Sequence, residues 1–521
     1  MSEGSMKKKE GRLMIMKRQK KQTAAGRNCP GKALLSALAA FLALILAASL
    51  LLAGCAGGGE NEDTTAAAVT IPDTGATEAL TTEFSAKNLL GMKDFGKEKV
   101  VFYTRNYSGE WCSDLINDQT IGEIIPDSVA SRNLKVQTEY NVTLSEKKSG
   151  AQSFYKDAEK QISAGDPDFD ILYTSIRDAA SLATDGFLTE FGSVPNIATD
   201  KSWWSPFLTK QMTIANKCYY VTGEITTVDD ISIRAVFFNK EMLKSIDASE
   251  DLYARITNDR WTLEDFFGLV NSALIDVGDD GKIELGTDSI GLLAEGTLGY
   301  QLLMGTGEKI IGKDENDIPY VSVTDPRPVD VIDRLTSYVS GNRAVMTNDP
   351  VYKPFGEGKV LFALVTIVRE NSLKSYEVDF GIVPYPKYNS DQESFHCYSD
   401  AYCPNAISFP FGISQDSLDR ASFVCEALAI ESVNTVTPAF YDICMKTRYA
   451  KDEKMGDMLD IIRKDYMIDL ADIYLSAWGI RTPVTKAISE GSNFTSAIQA
   501  TVKSTKNKIT ATVKAIEAVD H

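Results

Sequence analysis

Few side chains in this sequence have the type and spacing for covalent chemistry. His396 is the one internal histidine, the other being His521, so a His-based triad would have to use it. A lone histidine beside Cys397 reads as structural. No G-x-S-x-G, H-E-x-x-H or S-x-x-K set stands in a fitting context. Gly307 to Lys313, "GEKIIGK", matches the phosphate-cradling G-x-x-x-x-G-K pattern. Asp314 follows, where a magnesium-binding Ser or Thr is required, and its carboxylate would repel phosphate. The stretch "EKIIGKDENDIPYVSV" therefore reads as a hairpin. Asp276 to Gly281 opens like a calcium loop, but Gly278 and Thr287 occupy its third and twelfth positions, which leaves an Asp-Gly turn. With no C-x-x-C and one internal histidine, neither a metal nor a cofactor is expected. Asp168 and Asp170 flank a strand and read as solvated ends. Two-carboxylate glycoside hydrolysis depends on a separation in space that sequence does not contain, so a glycan-active enzyme stays open as a lesser alternative.

Binding chemistry is better represented. Trp203-Trp204 and Tyr219-Tyr220 are adjacent pairs, and Trp111 and Trp478 stand in polar contexts. Aromatic faces pack against the C–H faces of sugars while polar neighbours take the hydroxyls; the competing reading of each ring is core packing. Trp111, Trp204, Tyr220 and Trp478 are the candidate contacts from this set.

The elements that must position them alternate. "KVVFYTR" (99–105) and "FDILYT" (169–174) are continuous apolar strands. "NLKVQTEYNVTL" (133–144) reads as another, and "KCYYVTG" and "SIRAVFFN" as β-rich segments. "SFYKDAEKQISAG" is a helix capped by Ser153 and stopped at Gly165. "DAASLATDG" (178–186) and "RWTLEDFFGLVNSAL" (capped at Thr262) are helices. Hairpins are expected up to about Val323 and further helices near 329–339 and 351–357. "KVLFALVTIV" and "DFGIVPYPKY" are strands, and the chain is mostly helical from Leu418. Alternating strands and helices imply parallel α/β sheets. Ligands of such sheets bind beyond the C-terminal strand ends, which points to Asn106–Trp111 and Thr174–Asp178.

The net charge is −18. Residues 1–54 are basic, so residues 55–521 carry 44 Lys/Arg against 70 Asp/Glu. A body this acidic repels phosphate backbones and argues against nucleic acid as a partner. Ala33–Leu52 is a 20-residue uncharged apolar run, long enough to span a bilayer and longer than an ordinary signal core. Leu52-Ala53-Gly54-Cys55 follows and resembles the lipobox of bacterial lipoproteins. It implies a signal segment over 1–54, lipidation of Cys55 and membrane anchoring on the extracytoplasmic side. Residues 55–96 then read as a flexible Gly/Thr/Ala-rich tether. Removing Cys29 and Cys55 leaves Cys112, Cys218, Cys397, Cys403, Cys425 and Cys444, which allow fifteen pairings. Cys397 and Cys403, closest in sequence, are the expected bridge.

In this order, "FDILYTS…TDGFLTEF", "ANKCYYVTGE…IRAVFFNKEML", "RWTLEDFFGLV", "DGKIELGTDSIGLL", "FGEGKVLFALVTI" and "DFGIVPYPKYNSDQESF" resemble extracellular solute-binding proteins of the family 1, maltodextrin-binding type. The resemblance covers about residues 99–519. It implies a periplasmic-binding-protein-like α/β fold, with two lobes joined by a hinge and the ligand cleft between them. The expected lobes are 97–228 with 359–415, and 235–358 with 416–521. Carried over by position, Thr174, Ser175 and Arg177 contact solute from the first lobe, Asp230 and Ser232 near the first crossover, and Trp478 and Arg481 from the late region. With Asn106, Trp111, Trp204 and Tyr220 these form the expected ligand set. Thr174 stands where family sugar binders often place an aromatic, a departure that argues against a long glucan. The implied role is non-enzymatic: a monomer captures a carbohydrate-like solute and passes it to an ABC permease. A sensory lipoprotein on the same fold is the alternative.

Overall fold

The structure, a computed structural model, describes residues 84–106, 115–117, 120, 122–246, 251–340, 344–347, 350–441, 453–464 and 466–519. The expected signal segment, Cys55, the tether as far as residue 83 and Trp111 lie outside them.

Along the chain, α1 (Ala86–Leu90), β1 (Lys99–Thr104), α2 (Ile124–Tyr140), β2 (Thr143–Lys148), α3 (Phe154–Ser163), β3 (Ile171–Ser175) and α4 (Ile176–Thr184) come first. α5 (Pro206–Met212) and the short α6 (Val228–Ile231) lead into β4 (Ile233–Asn239), then α7 (Leu263–Ala273), β5 (Ile290–Glu295) and α8 (Leu298–Gly305). A small hairpin, β6 (Ile311–Lys313) and β7 (Pro319–Val321), precedes α9 (Pro326–Val339), β8 (Val345–Thr347), β9 (Val360–Thr366), β10 (Phe380–Val383), β11 (Cys397–Ser399) and β12 (Asn405–Ser408). The rest is α10 (Gln415–Asn434), α11 (Glu453–Lys464), β13 (Tyr466–Met467), α12 (Leu470–Ile473), α13 (Arg481–Glu490) and α14 (Phe494–Ala518).

Two mixed sheets organise these elements. The first runs β12-β3-β1-β2, with β1 parallel to β2 and β3 and with β12 antiparallel at the edge. Both faces of β1 are buried. Val100 and Phe102 join a cluster with Val136 of α2 and Leu428 of α10, while Tyr103 stacks on Phe169 and packs on Phe154 of α3. Two-sided burial is why these strands read as unbroken apolar runs. The second sheet runs β13-β11-β4-β9-β5-β8, with β10 also paired to β4. β5 is parallel to β8 and β9, and β4 is antiparallel to β9.

Local chemistry explains the elements. Ser153, Ser175 and Thr262 cap α3, α4 and α7, each side chain accepting a backbone N–H from the first turn. Gly165 takes φ +86° just past α3, a conformation that suits glycine at a helix stop.

The structure corrects four expectations. Residues 133–140 belong to α2 and not to a strand, because Val129, Arg132, Val136 and Tyr140 recur at helical spacing and are all buried. Only Thr143–Lys148 is extended. "KCYYVTG" forms isolated bridges, Ile214 with Lys217 and Val221 with Ile407, and no strand. Residues 359–399 belong with the second sheet, since β9 pairs with β4 and β5; α10 packs with the first lobe through Leu428 and Phe423. Residues 84–96 are docked and do not form tether. The Ala86 amide donates to Glu431 at 2.8 Å, and Phe95 meets Phe423 edge-on with centroids 5.5 Å apart.

Candidate ligand-binding site

Two segments that cross between the sheets are pinned to each other. The first, residues 223–232, carries α6 into β4. The second, 400–404, joins β11 to β12. Ser232 Oγ and Ser399 Oγ lie 2.8 Å apart, and β11 pairs with β4 through Ser399 and Ile233. Arg105, just past β1, clamps the second segment: Nη1 donates to the Tyr402 carbonyl at 3.1 Å and Nη2 to Asn405 Oδ1 at 2.5 Å.

Around this crossing the strand ends of both lobes converge. From the first lobe come Arg105 and Asn106 beyond β1 and Arg177 beyond β3. From the second come Glu295 at the end of β5, Thr347 at the end of β8, and Arg234 at the start of β4, opposite Thr366. A cavity of ≈410 Å³ opens at the second lobe's strand ends, lined by Glu295, Thr297, Thr347, Tyr352 and Arg369 among others. This size suits a small organic solute.

The electrostatics are organised around two aspartates. Asp472 is fully buried and accepts from Arg177 Nη2 at 2.6 Å, from the Ala401 amide at 2.8 Å and from Arg481. Asp400 lies 3.2 Å from Arg177 and 3.8 Å from Arg481. Burial pushes the Asp400 carboxyl up, but Arg177, the Tyr402 amide, Arg234 and Arg481 together hold it below the usual range. Arg234 donates to Glu295 at 2.9 Å through Nη2, while its buried Nε and Nη1 have no partner. Burial opposes its charge, and Glu295 with its neighbours more than offsets that, so its pKa is raised.

Tyr402 is the exposed ring of the site. It is 49% exposed, with Arg105 and Arg177 guanidinium carbons 5.4 and 5.8 Å from its centroid. On the second lobe, Arg369 lies 5.6 Å from the Tyr352 ring. Tyr402 of the crossing segment and Tyr352 of the second lobe thus each offer an aromatic face edged by a guanidinium, an arrangement able to stack on an apolar ring face and donate to its oxygens.

The sequence-predicted residues divide. Asn106 is exposed at the site and Arg177 lies at its rim. Arg481 is beneath it, spent on Asp472. Thr174 and Ser175 are fully buried; Thr174 donates to Asp178 and Ser175 caps α4. Ser232 is buried in the crossing, donating to the Asp229 carbonyl at 2.6 Å. Trp204, Tyr220 and Trp478 are core residues. Both Trp203 and Trp204 donate their indole N–H to Glu426, at 2.9 and 2.5 Å. Tyr220 is buried beside Tyr474. Trp478 stacks on Tyr474 and donates to Thr512 at 3.0 Å. Asp230 lies away from this cavity, in a second one taken up below.

Cys397 and Cys403 are free thiols, as are Cys218 and Cys425, so the expected bridge is corrected. Cys397 is fixed inside the second sheet, where burial pushes its thiol up to about 12. Cys403 sits in the crossing segment held by Arg105, and burial raises it to about 11. The sheet and the clamp hold the two apart.

Sequence reasoning missed Tyr402, Tyr352, Glu295, Arg234, Asp400 and Asp472. Only Tyr402 carried a local signal, an aromatic in the polar turn "SDAYCP".

No protein-family model matches the sequence, and no curated protein does. Solved structures do. A family 1 extracellular solute-binding protein from Bifidobacterium longum subsp. infantis superposes with TM-score 0.51 at 15% identity, over 79% of this chain and 100% of that one. A cyclo/maltodextrin-binding protein complexed with maltotetraose does so with TM-score 0.51 at 12% identity, over 81% of this chain and 98% of that one. The chain has the periplasmic-binding-protein-like fold. Tyr402, Arg177, Glu295 and Tyr352 lie where the strand ends of the two sheets meet. At such identities the likeness establishes the fold, and the ligand must be argued from the side chains.

Proposed function

We propose that the protein is an extracytoplasmic solute-binding protein, held to a membrane through a lipid on Cys55. It captures a carbohydrate-like solute between its lobes and delivers it to an ABC permease. The observation that carries this reading is the pair of tyrosine faces edged by arginines, one on the crossing segment and one on the second lobe, at converging strand ends. Sugar rings offer apolar C–H faces and a rim of hydroxyls, which such faces and guanidinium donors complement. A solute contacting both lobes shifts the population toward the closed form, and that form is what a permease would read. The role needs no nucleophile, in keeping with the scarcity of catalytic sets in the sequence. Like the bound maltotetraose of the maltodextrin-binding neighbour, the solute is expected to be an oligosaccharide, though one with contacts of its own, since Thr174 is buried and offers no ring.

The test is a thermal-shift screen against monosaccharides, oligosaccharides, peptides and polyols, followed by calorimetry on each hit. An oligosaccharide that binds saturably and is recovered intact supports the reading. Binding of peptides alone overturns the carbohydrate class, and release of smaller sugars overturns the non-enzymatic role.

A further inference from the structure

A second cavity, of ≈360 Å³, shares no lining residue with the strand-end cavity. Its walls come from three places: Ser202 and Ser205 ahead of α5, Gly223, Glu224, Asp229 and Asp230 of the first crossing segment, and Asp460, Arg463, Lys464 and Tyr466 at the α11–β13 edge of the second sheet. The backbone runs close here, and a Cβ on Gly223 would meet the Trp203 carbonyl at 2.1 Å.

The charges do not balance. Arg463 is spent on Glu224 at 2.5 Å and on Asp230 at 3.4 Å. Asp229 is 4% exposed and uses only Oδ2, which accepts from Thr222 at 3.2 Å. Its Oδ1 is buried without a partner, and so is the hydroxyl of Tyr466, itself 6% exposed. An unpaired buried carboxylate oxygen is costly. Burial and the neighbouring Asp230 and Glu224 all push the Asp229 carboxyl well up, a penalty that a bound cation would remove.

We propose that this cavity is a binding site for a small organic ammonium. An ammonium group has three donors and no acceptor. Asp229 Oδ1, the Tyr466 hydroxyl and the hydroxyls of Ser202 and Ser205 are the matching acceptors. The volume is that of a small organic molecule and exceeds what a bare ion fills. Among the described residues no three metal-ligating side chains converge at metal spacing, which favours an ammonium over a metal ion. The site is separate from the proposed sugar cleft and does not depend on it.

The test is calorimetric titration of the full-length protein in detergent with 1,4-diaminobutane, with 1,4-butanediol as the uncharged control. Saturable binding of the diamine and none of the diol is expected, with affinity falling at least about tenfold in Asp229→Asn and in Tyr466→Phe, the loss of one good hydrogen bond to a charged group. Tyr466→Phe removes only a hydroxyl that has no partner, so it decides the matter if Asp229→Asn fails to fold. No saturable diamine binding, equal binding of the diol, tighter binding of Ca²⁺ than of the diamine, or unchanged affinity in Tyr466→Phe each overturns the proposal.

Discussion

Tyr402 presents half its surface between two guanidinium groups, whereas Trp478, the more conspicuous aromatic in sequence, is 1% exposed. The two therefore separate binding from stability. Tyr402→Ala is expected to weaken the solute found by the screen about tenfold, the worth of one stacked ring, with little change in melting temperature. Trp478→Phe loses the bond to Thr512 and is expected to cost about 1 kcal/mol of stability with unchanged solute affinity; calorimetry and urea denaturation read the two quantities. Asp229 supplies a pH signature. Its folded-state pKa lies above that of the unfolded chain, so the folded state binds more protons and stability falls as pH rises above the ordinary aspartate range. Asp229→Asn should thus raise the melting temperature at pH 7. The gain should shrink as pH falls and vanish below about 3, where the carboxyl is protonated in both states. A gain that persists at low pH would remove the electrostatic cause.

At the scale of elements, α10 is the spine of the first lobe. Glu426, 1% exposed on this helix, receives both indole N–H groups of Trp203 and Trp204, and Glu431 receives the amide that starts α1. Burial raises the Glu426 carboxyl despite these donors. Glu426→Ala strands two buried donors at about 1–3 kcal/mol each. A loss of about 3 kcal/mol is expected in urea denaturation followed by tryptophan emission. The element boundaries show what was legible. Strands buried on both faces, such as Ile233–Asn239 and Val360–Thr366, announce themselves as apolar runs, and capped helices announce themselves by Ser153 and Thr262. Asn133–Tyr140 reads as a strand because the buried set of α2 includes Arg132 and Asn133, polar residues that hide a helical stripe. Their burial makes sense only in space: Arg132 donates to the Ile225 carbonyl at 2.8 Å, 93 residues away.

For the whole molecule, the proposed function rests on the lobes moving about the crossing segments. The lobes meet through short segments pinned by Ser232–Ser399 and Arg105, and hinges of this kind absorb domain closure. Small-angle scattering should show a smaller radius of gyration on saturation with the solute, and an unchanged radius would indicate a rigid cleft. Among the described residues no helix is long and apolar enough to cross a membrane.

The sequence by itself determined the class of the molecule. Apolar runs alternating with capped helices carry an α/β fold, the acidic charge argues against nucleic acid, and the ordered blocks carry the resemblance to solute-binding proteins that the superpositions echo at the level of fold. These signals are local, written in periodicity and in residues a few positions apart. Tertiary structure alone decided which lobe owns Val360–Ser399, that Cys397 and Cys403 stay unbridged, and that Trp204, Tyr220 and Trp478 are core while Tyr402 is exposed. A strand's partner is set by pairing with residues far along the chain, as Arg234 is with Thr366. Whether an aromatic faces solvent is likewise set by what packs over it. The Trp478 indole is covered by a helix that begins 16 residues later, and no pattern around position 478 encodes that cover.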